Sequence, residues 1–194
     1  MKSVSISGSL RGNVGKKDAK RNRMQGKVPC VLYGGKEQLH FVADAKEFDK
    51  LLFTPNTFLV QLVVDGKEIN ATLQDIQYHP VNDSILHADF LELIPGKPVV
   101  ISIPLIITGT APGVLKGGKL QKKYRKLKVK GLAENLPDDI TISINDLDIG
   151  QMIKINDIKV ENIQLLDLAS SVVASVVPTR AAAEGTTEVE APKQ

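Results

Sequence analysis

The stretch FLVQLVVDGKEINATL, residues 58–73, decides how this chain folds. Runs of apolar and β-branched residues flank Asp65-Gly66, a pair that tolerates the positive φ angles of a type I′ turn. Residues 58–64 and 69–73 are therefore predicted to close on each other as an antiparallel hairpin. Working outward, VSISGSL (4–10), VLY (31–33), HFVA (40–43), SILHADFLEL (84–93) and VVISIPLII (99–107) also read as strands bounded by turn residues. The clearest helix is DAKEFDKLLF (44–53). Asp44 is placed to cap it, Glu47 occupies the capping-box position, and Phe48, Leu51 and Leu52 share one face. Many short strands with one helix predict a small β-barrel or sandwich.

Downstream, LELIPGKPVV (91–100) places two prolines and a glycine in four residues, which predicts a domain boundary. Residues 1–94 then form one domain and 95–178 a second β-rich one. ITISI, MIKIN, IQLLDL and SSVVASVV are the short strands of that second domain. Residues 179–194, ending in AAAEGTTEVEAPKQ, read as an acidic disordered tail.

The composition of the 194 residues, 42% hydrophobic and 24% charged, is that of an ordinary soluble protein. Aromatics make up only 4%, with no Trp, so the cores must rest on Val, Ile and Leu. A single cysteine, Cys30, excludes an intramolecular disulfide framework and fits a reducing compartment. The start MKSVSISGSLRG lacks the apolar run of a signal peptide, and no stretch approaches the ~20 apolar residues of a membrane helix. A cytoplasmic protein with no membrane partner is expected.

The net charge of +3 conceals strong segregation. Residues 1–40 carry nine Lys and Arg against two acids, and residues 116–130 carry eight cations and no acid. Residues 41–115 carry nine acids against four cations, and 131–194 eleven against four. Within GKKDAKRNRMQGKVPCVLYGG (15–35), six cations accompany one acid, Asp18, before the chain turns apolar and ends on Tyr33-Gly34-Gly35. The strip 15–27 has helix-tolerant residues but little apolar face, which predicts a short helix or a loop lying over the barrel. Such segregation suits a surface that meets a polyanion, with a solvated basic loop as the plain alternative.

Other constellations are weaker. GVLKGGKL spaces Gly113, Gly118 and Lys119 like a phosphate-cradling loop, but Leu120 replaces the Mg²⁺-ligating hydroxyl, so a glycine turn is expected. LQKKYRKLKVKG (120–131) reads as a basic strand or hairpin edge whose lysines guard against pairing. LHADF places His87 and Asp89 on one strand face. They could ligate a metal only with His40 or His79 as a third ligand; alternatively, Asp89 orients His87 toward a partner. Cys30, in an apolar strand, is expected to be a small buried hydrophobe. Gln74 and Gln77 can both read base edges. Their three-residue spacing puts them on opposite faces of a regular strand, so joint action requires a bulge or a strand end. Tyr33 could stack on a base or sit half-buried.

Two longer stretches, SGSLRGNVGKKDAKRNRMQGKVPCVLYGG (7–35) and VDGKEINATLQDIQYHPVNDSILHADF (64–90), resemble a bacterial family. It is the large-subunit ribosomal protein family that binds 5S rRNA, number twenty-five of that subunit. TGTAPGVLKGGKLQ (108–121) and NLPDDITISINDLDIG (135–150) resemble the second domain of its long form, general stress protein CTC. The resemblance implies a mainly β fold: a six-stranded N-terminal β-barrel with a short helix or two, then a second β-rich domain. It implies that the barrel enters the widened minor groove of loop E of 5S rRNA, a shallow and readable target.

Positions matching the family's RNA contacts are Arg11, Arg23, Tyr33, His87 and Asp89, with Gln74 and Gln77 where the family has glutamines. Lys16, Lys20 and Arg21 match its basic strip. On this reading the strip holds phosphates while the strands read shape and base edges. The partners are 5S rRNA and the large ribosomal subunit, with no cofactor, no catalysis and no small-molecule substrate. The cations of 116–130 are left between rRNA and a neighbouring protein. Two rivals remain: a metal enzyme built on His87 and Asp89, and an RNA-independent stress or chaperone-like role of 95–178. Bound metal would mark the first, and capture of unfolded proteins the second.

Overall fold

The computed structural model of the chain describes residues 2–179 other than 36, 53, 159 and 161. Phe53 of the expected helix, and the expected acidic tail beyond Thr179, lie outside the described residues. Two compact units are present. One comprises the residues up to Ile101 with Gly131–Asp138; the other comprises Ser102–Lys130 with the residues from Asp139 onward.

The first unit contains β1 (Lys2–Leu10), α1 (Lys16–Met24), β2 (Lys27–Tyr33), β3 (Leu39–Asp44), α2 (Asp49–Leu52), β4 (Phe58–Val64), β5 (Lys67–Tyr78) and β6 (Ile85–Glu92). The six strands close into a barrel in the order β1-β3-β2-β6-β5-β4. The β4–β5 hairpin forms as its residues dictate: Val64 pairs with Lys67, and Asp65 and Gly66 take φ of 46° and 81°. Two parallel pairings, β1 with β4 and β2 with β6, complete the circle.

Alternate side chains fill the barrel. Ile6, Cys30, Leu32, Phe41, Leu62, Ala71, Ala88 and Phe90 are fully buried. The Phe90 ring lies 5.8 Å from Phe41 and 6.2 Å from Phe48, tilted at 40° and 46°. Removing a side chain of that size from water is worth roughly 1.5–3 kcal/mol. Cys30 is one of these packing residues, and burial pushes its thiol far above the ordinary range.

The expected helix at 44–53 begins differently. Ala45–Phe48 is a 3₁₀ turn that runs into α2, and the Asp44 side chain makes no cap. The Glu47 carboxylate accepts hydrogen bonds from the Ser7 amide at 2.7 Å and the Ser7 hydroxyl at 2.6 Å. This bond to β1 takes the acid away from the capping box. The apolar face is retained, with Phe48 and Leu51 buried and Leu52 packed against the core.

The second β-rich region contains β7 (Val99–Thr108), α3 (Pro112–Leu115), β8 (Lys119–Lys122), β9 (Lys126–Gly131), β10 (Ile140–Ser143), β11 (Met152–Lys154), β12 (Gln164–Leu165) and β13 (Val172–Val177). They form a four-stranded sheet, β10-β7-β9-β12, and a three-stranded sheet, β11-β13-β8. Because β7 starts at Val99 with Val99 and Ile101 buried, the first unit runs past the Pro95–Pro98 turn. The expected division at 94/95 and the structural one at Ile101 therefore differ. The glycine turn expected at 113–119 is present, with the Gly118 amide donating to Gly113 O at 2.8 Å. A Cβ at Gly113 would sit 2.6 Å from the Ile149 amide, so close backbone packing requires that glycine. Among the described residues, no helix is long and apolar enough to cross a membrane.

Candidate nucleic-acid interface

The basic strip becomes α1, a helix with no buried residue. Packing of an apolar face cannot hold such a helix, so polar tethers must. Asp18 is the centre of them. Its Oδ2 accepts from Arg11 Nε at 3.1 Å, Arg11 Nη2 at 2.9 Å and Asn22 Nδ2 at 3.0 Å, and its Oδ1 from Arg21 Nη2 at 2.8 Å. The hydrogen bonds from Arg11, followed by the charge of Arg11 and the contact with Arg21, hold the Asp18 carboxyl below the usual carboxylate range despite partial burial. Arg11 is consequently tucked away, with only 7% of its side chain exposed, while Arg21 is 69% exposed. At the other end of α1, Arg23 Nε donates to the carbonyl of Leu86 at 2.9 Å, next to His87 on β6. Lys16 and Lys20 project from the helix exposed, as does Arg21.

A second group lies on the outer face of β5, β6 and β2. Gln77 pairs across the ladder with His87, and Asp75 with Asp89, while Ile76 and Ala88 between them face the core. Asp89 also stands level with Val31 on β2, and Tyr33 lies two residues further on, level with Leu91. Partial burial, and then the charges of Asp89 and Asp75, raise the Tyr33 hydroxyl above its ordinary pKa. His87 Nδ1 is 2.6 Å from Asp89 Oδ1. That oxygen is shielded from solvent and has no other partner. It is satisfied when Nδ1 carries the proton, which makes Nε2 the acceptor nitrogen of the neutral ring.

The strand β5 carries the bulge that joint use of Gln74 and Gln77 requires. Leu73 pairs with Phe90 and Asp75 with Asp89, so Gln74 is the extra residue. Leu73 and Ile76 both pack inward, leaving Gln74, Asp75 and Gln77 exposed. The Gln74 amide is nevertheless turned away, donating to Val100 O at 2.9 Å. Gln77, His87, Asp89 and Tyr33 are thus brought together, α1 is tied beside them by Arg23, and Arg11 and Gln74 are engaged with protein groups. Two contributors were given no role from the sequence. Asp75 lies two residues from Gln77, the strand spacing that puts both on one face, and Asp18 is the lone acid in the basic strip.

A metal would need a third ligand near His87 and Asp89. His40 lies opposite Val31, which itself neighbours Asp89, so His40 and Asp89 are two strand spacings apart, about 9–10 Å. His79 Nδ1 accepts from the Val81 amide in the β5–β6 loop. Among the described residues, no three His, Cys, Asp or Glu side chains are grouped to hold a metal ion.

Comparison with known proteins identifies the family of the chain. Residues 6–90 match the Ribosomal L25p family, and residues 98–180 match the C-terminal domain of ribosomal protein TL5. The chain is 43% identical over 190 residues to the large ribosomal subunit protein bL25 of Amoebophilus asiaticus, covering 98% of this chain and 97% of that one. It is 41% identical over 187 residues to the bL25 of Bacteroides fragilis, covering 94% and 95%. With the bL25 of Azobacteroides pseudotrichonymphae the identity is 42% over 183 residues, covering 94% and 97%.

Proposed function

The chain belongs to the Ribosomal L25p family in its long form, a family of structural large-subunit proteins and not of enzymes, and from that premise we propose that its barrel binds loop E of 5S rRNA. As a ribosomal protein it works in the cytoplasm. The observation that carries the proposal is the joining of two kinds of surface. Gln77, His87 and Asp89 present donors and acceptors on one sheet face beside Tyr33, and Arg23 fastens a row of exposed cations to the residue next to His87. Backbone phosphates along the groove would meet Lys16, Lys20 and Arg21, while the strand face would meet base edges and riboses. Arg11 acts in this scheme through Asp18, positioning α1.

A gel-shift titration of the full chain tests the proposal, using a loop E fragment and a regular RNA duplex of the same length. Loop E should be bound at least roughly tenfold more tightly, about 1.4 kcal/mol. Equal affinity for the two RNAs would overturn the reading.

A further inference from the structure

The barrel site leaves the second cationic run, 116–130, without a role. The structure divides that run. Lys116 Nζ pairs with Asp148 Oδ2 at 2.6 Å, and Lys122 Nζ donates to Leu105 O. Lys119 and Lys122 lie on β8, an edge strand of the three-stranded sheet, where lysines block unwanted pairing. That account fits β9 less well, since β9 sits between β7 and the short β12 in its sheet. Gln164 pairs with Lys130 and Leu165 with Val129. Leu166 N donates to Lys128 O at 2.9 Å, and Lys128 N donates to Asp167 Oδ2 at 2.7 Å.

On β9 the buried Leu127 and Val129 alternate with exposed Lys126, Lys128 and Lys130. The three lysines therefore form a straight row on one face, at intervals of roughly 6.6–6.8 Å. They are the only ionisable side chains in the four strands of this sheet. The Asp167 carboxylate accepts from the Lys128 amide, and the Asp139 carboxylate from the Thr141 hydroxyl. Among the described residues the three ammonium groups have no hydrogen-bond or ion-pair partner. Like charges repel along such a row, so the free protein holds it at a small cost.

We propose that this face of β9 is a second RNA contact, in which Lys126, Lys128 and Lys130 follow a phosphate backbone without reading sequence. It rests on the reading of the chain as an rRNA-binding protein. Gln164, level with Lys130, adds a hydrogen-bonding group for a ribose or phosphate. RNA is favoured over an acidic protein because the row is linear and its three members are lysines, which hold phosphates as point charges. Tyr124 and Arg125 precede the row and are not part of its alternation. Exposed apolar side chains also belong to the same sheet region, among them Ile106 on β7 at 46% and Leu166 just after β12 at 45%.

The test uses the full chain. In reconstituted large subunits, Lys128 is replaced by a photo-crosslinking amino acid; label on rRNA is the expected result. In parallel, a chain carrying Lys16→Ala, Lys20→Ala and Arg21→Ala is titrated with a regular RNA duplex, with and without Lys126→Gln, Lys128→Gln and Lys130→Gln. The three glutamines should flatten the salt slope by roughly 2–2.7, at about 0.7–0.9 per lost contact. Circular dichroism confirms that the variant is folded, and in the otherwise native chain the glutamines should leave loop E affinity unchanged. If the native chain fails to bind loop E, the functional reading and this inference fall together. If loop E binding is intact, label on protein alone, no label, or an unchanged salt slope overturns this inference by itself.

Discussion

Asp89 puts a negative charge on the surface proposed to meet a polyanion, and its geometry gives that charge a use. Its shielded Oδ1 fixes the His87 ring at 2.6 Å, leaving the other imidazole nitrogen for the partner. Asp89→Asn should therefore weaken loop E binding by about 1–3 kcal/mol, roughly 5- to 150-fold, although it removes a repulsive charge. Paired with His87→Ala in a double-mutant cycle, the two losses should not add. A folded Asn variant with unchanged or tighter affinity would sink the assignment. Asp18 makes a separate prediction, about pH. Its folded carboxyl releases its proton more readily than an unfolded one, so protons bind the unfolded chain preferentially between the two pKa values. The anchoring of α1 is thus complete above the ordinary value of 3.8 and fades as pH falls through the depressed one. Amide exchange of α1 between pH 6 and pH 2 should show this loss. In Asp18→Asn the helix should exchange faster already at pH 6, with little further change below pH 4.

At the scale of the element, α1 is a helix held by its ends. With no side chain buried, its exposed lysines add nothing to packing and should behave as pure electrostatic contacts. Lys16→Ala, Lys20→Ala or Arg21→Ala should weaken regular-duplex and loop E binding alike, each flattening the salt slope by roughly 0.7–0.9. Arg23→Ala should instead reduce loop E binding preferentially, because Arg23 sets the distance between helix and strand face through Leu86 O. Equal effects of all four substitutions on both RNAs would reduce the strip to an electrostatic footprint. The β5 bulge is the other device at this scale: one extra residue, Gln74, lets Leu73 and Ile76 both face the core while Gln77 stays outside.

At the scale of the whole molecule, the two regions make separable predictions. Every candidate for reading loop E precedes Ile94, so residues 1–94, if folded, should bind the loop E fragment within about threefold of the full chain, under 1 kcal/mol. The same truncation removes Val100, the hydrogen-bond partner of Gln74, and Gly131–Asp138, which belong to the barrel unit. The fragment should accordingly unfold at lower temperature than the barrel of the full chain. A fragment folded by circular dichroism that binds tenfold more weakly would place part of the site beyond residue 94.

Local chemistry was legible in the residues themselves. Asp65-Gly66 dictated the hairpin, alternation dictated the barrel strands, and the Phe48, Leu51 and Leu52 face dictated burial of the α2 segment. These signals live in neighbouring residues, so no partner from elsewhere in the chain is needed to read them. The family resemblance then supplied the strand number and the site positions. Barrel closure depended on parallel pairing of β1 with β4 and of β2 with β6, and no period-two pattern records which distant strand will be the neighbour. The same limit explains Arg11, whose sequence context shows a cation after a strand but not the Asp18 carboxylate folded back onto it. It explains Glu47, drawn from its capping box by Ser7 on another strand. It also explains the lysines of 116–130, alike in sequence yet divided between an edge strand and an interior one. Alternation determines which side of a strand a residue faces; only tertiary contact decides what waits there, because hydrogen bonds and ion pairs form with whichever group the fold brings within about 3 Å.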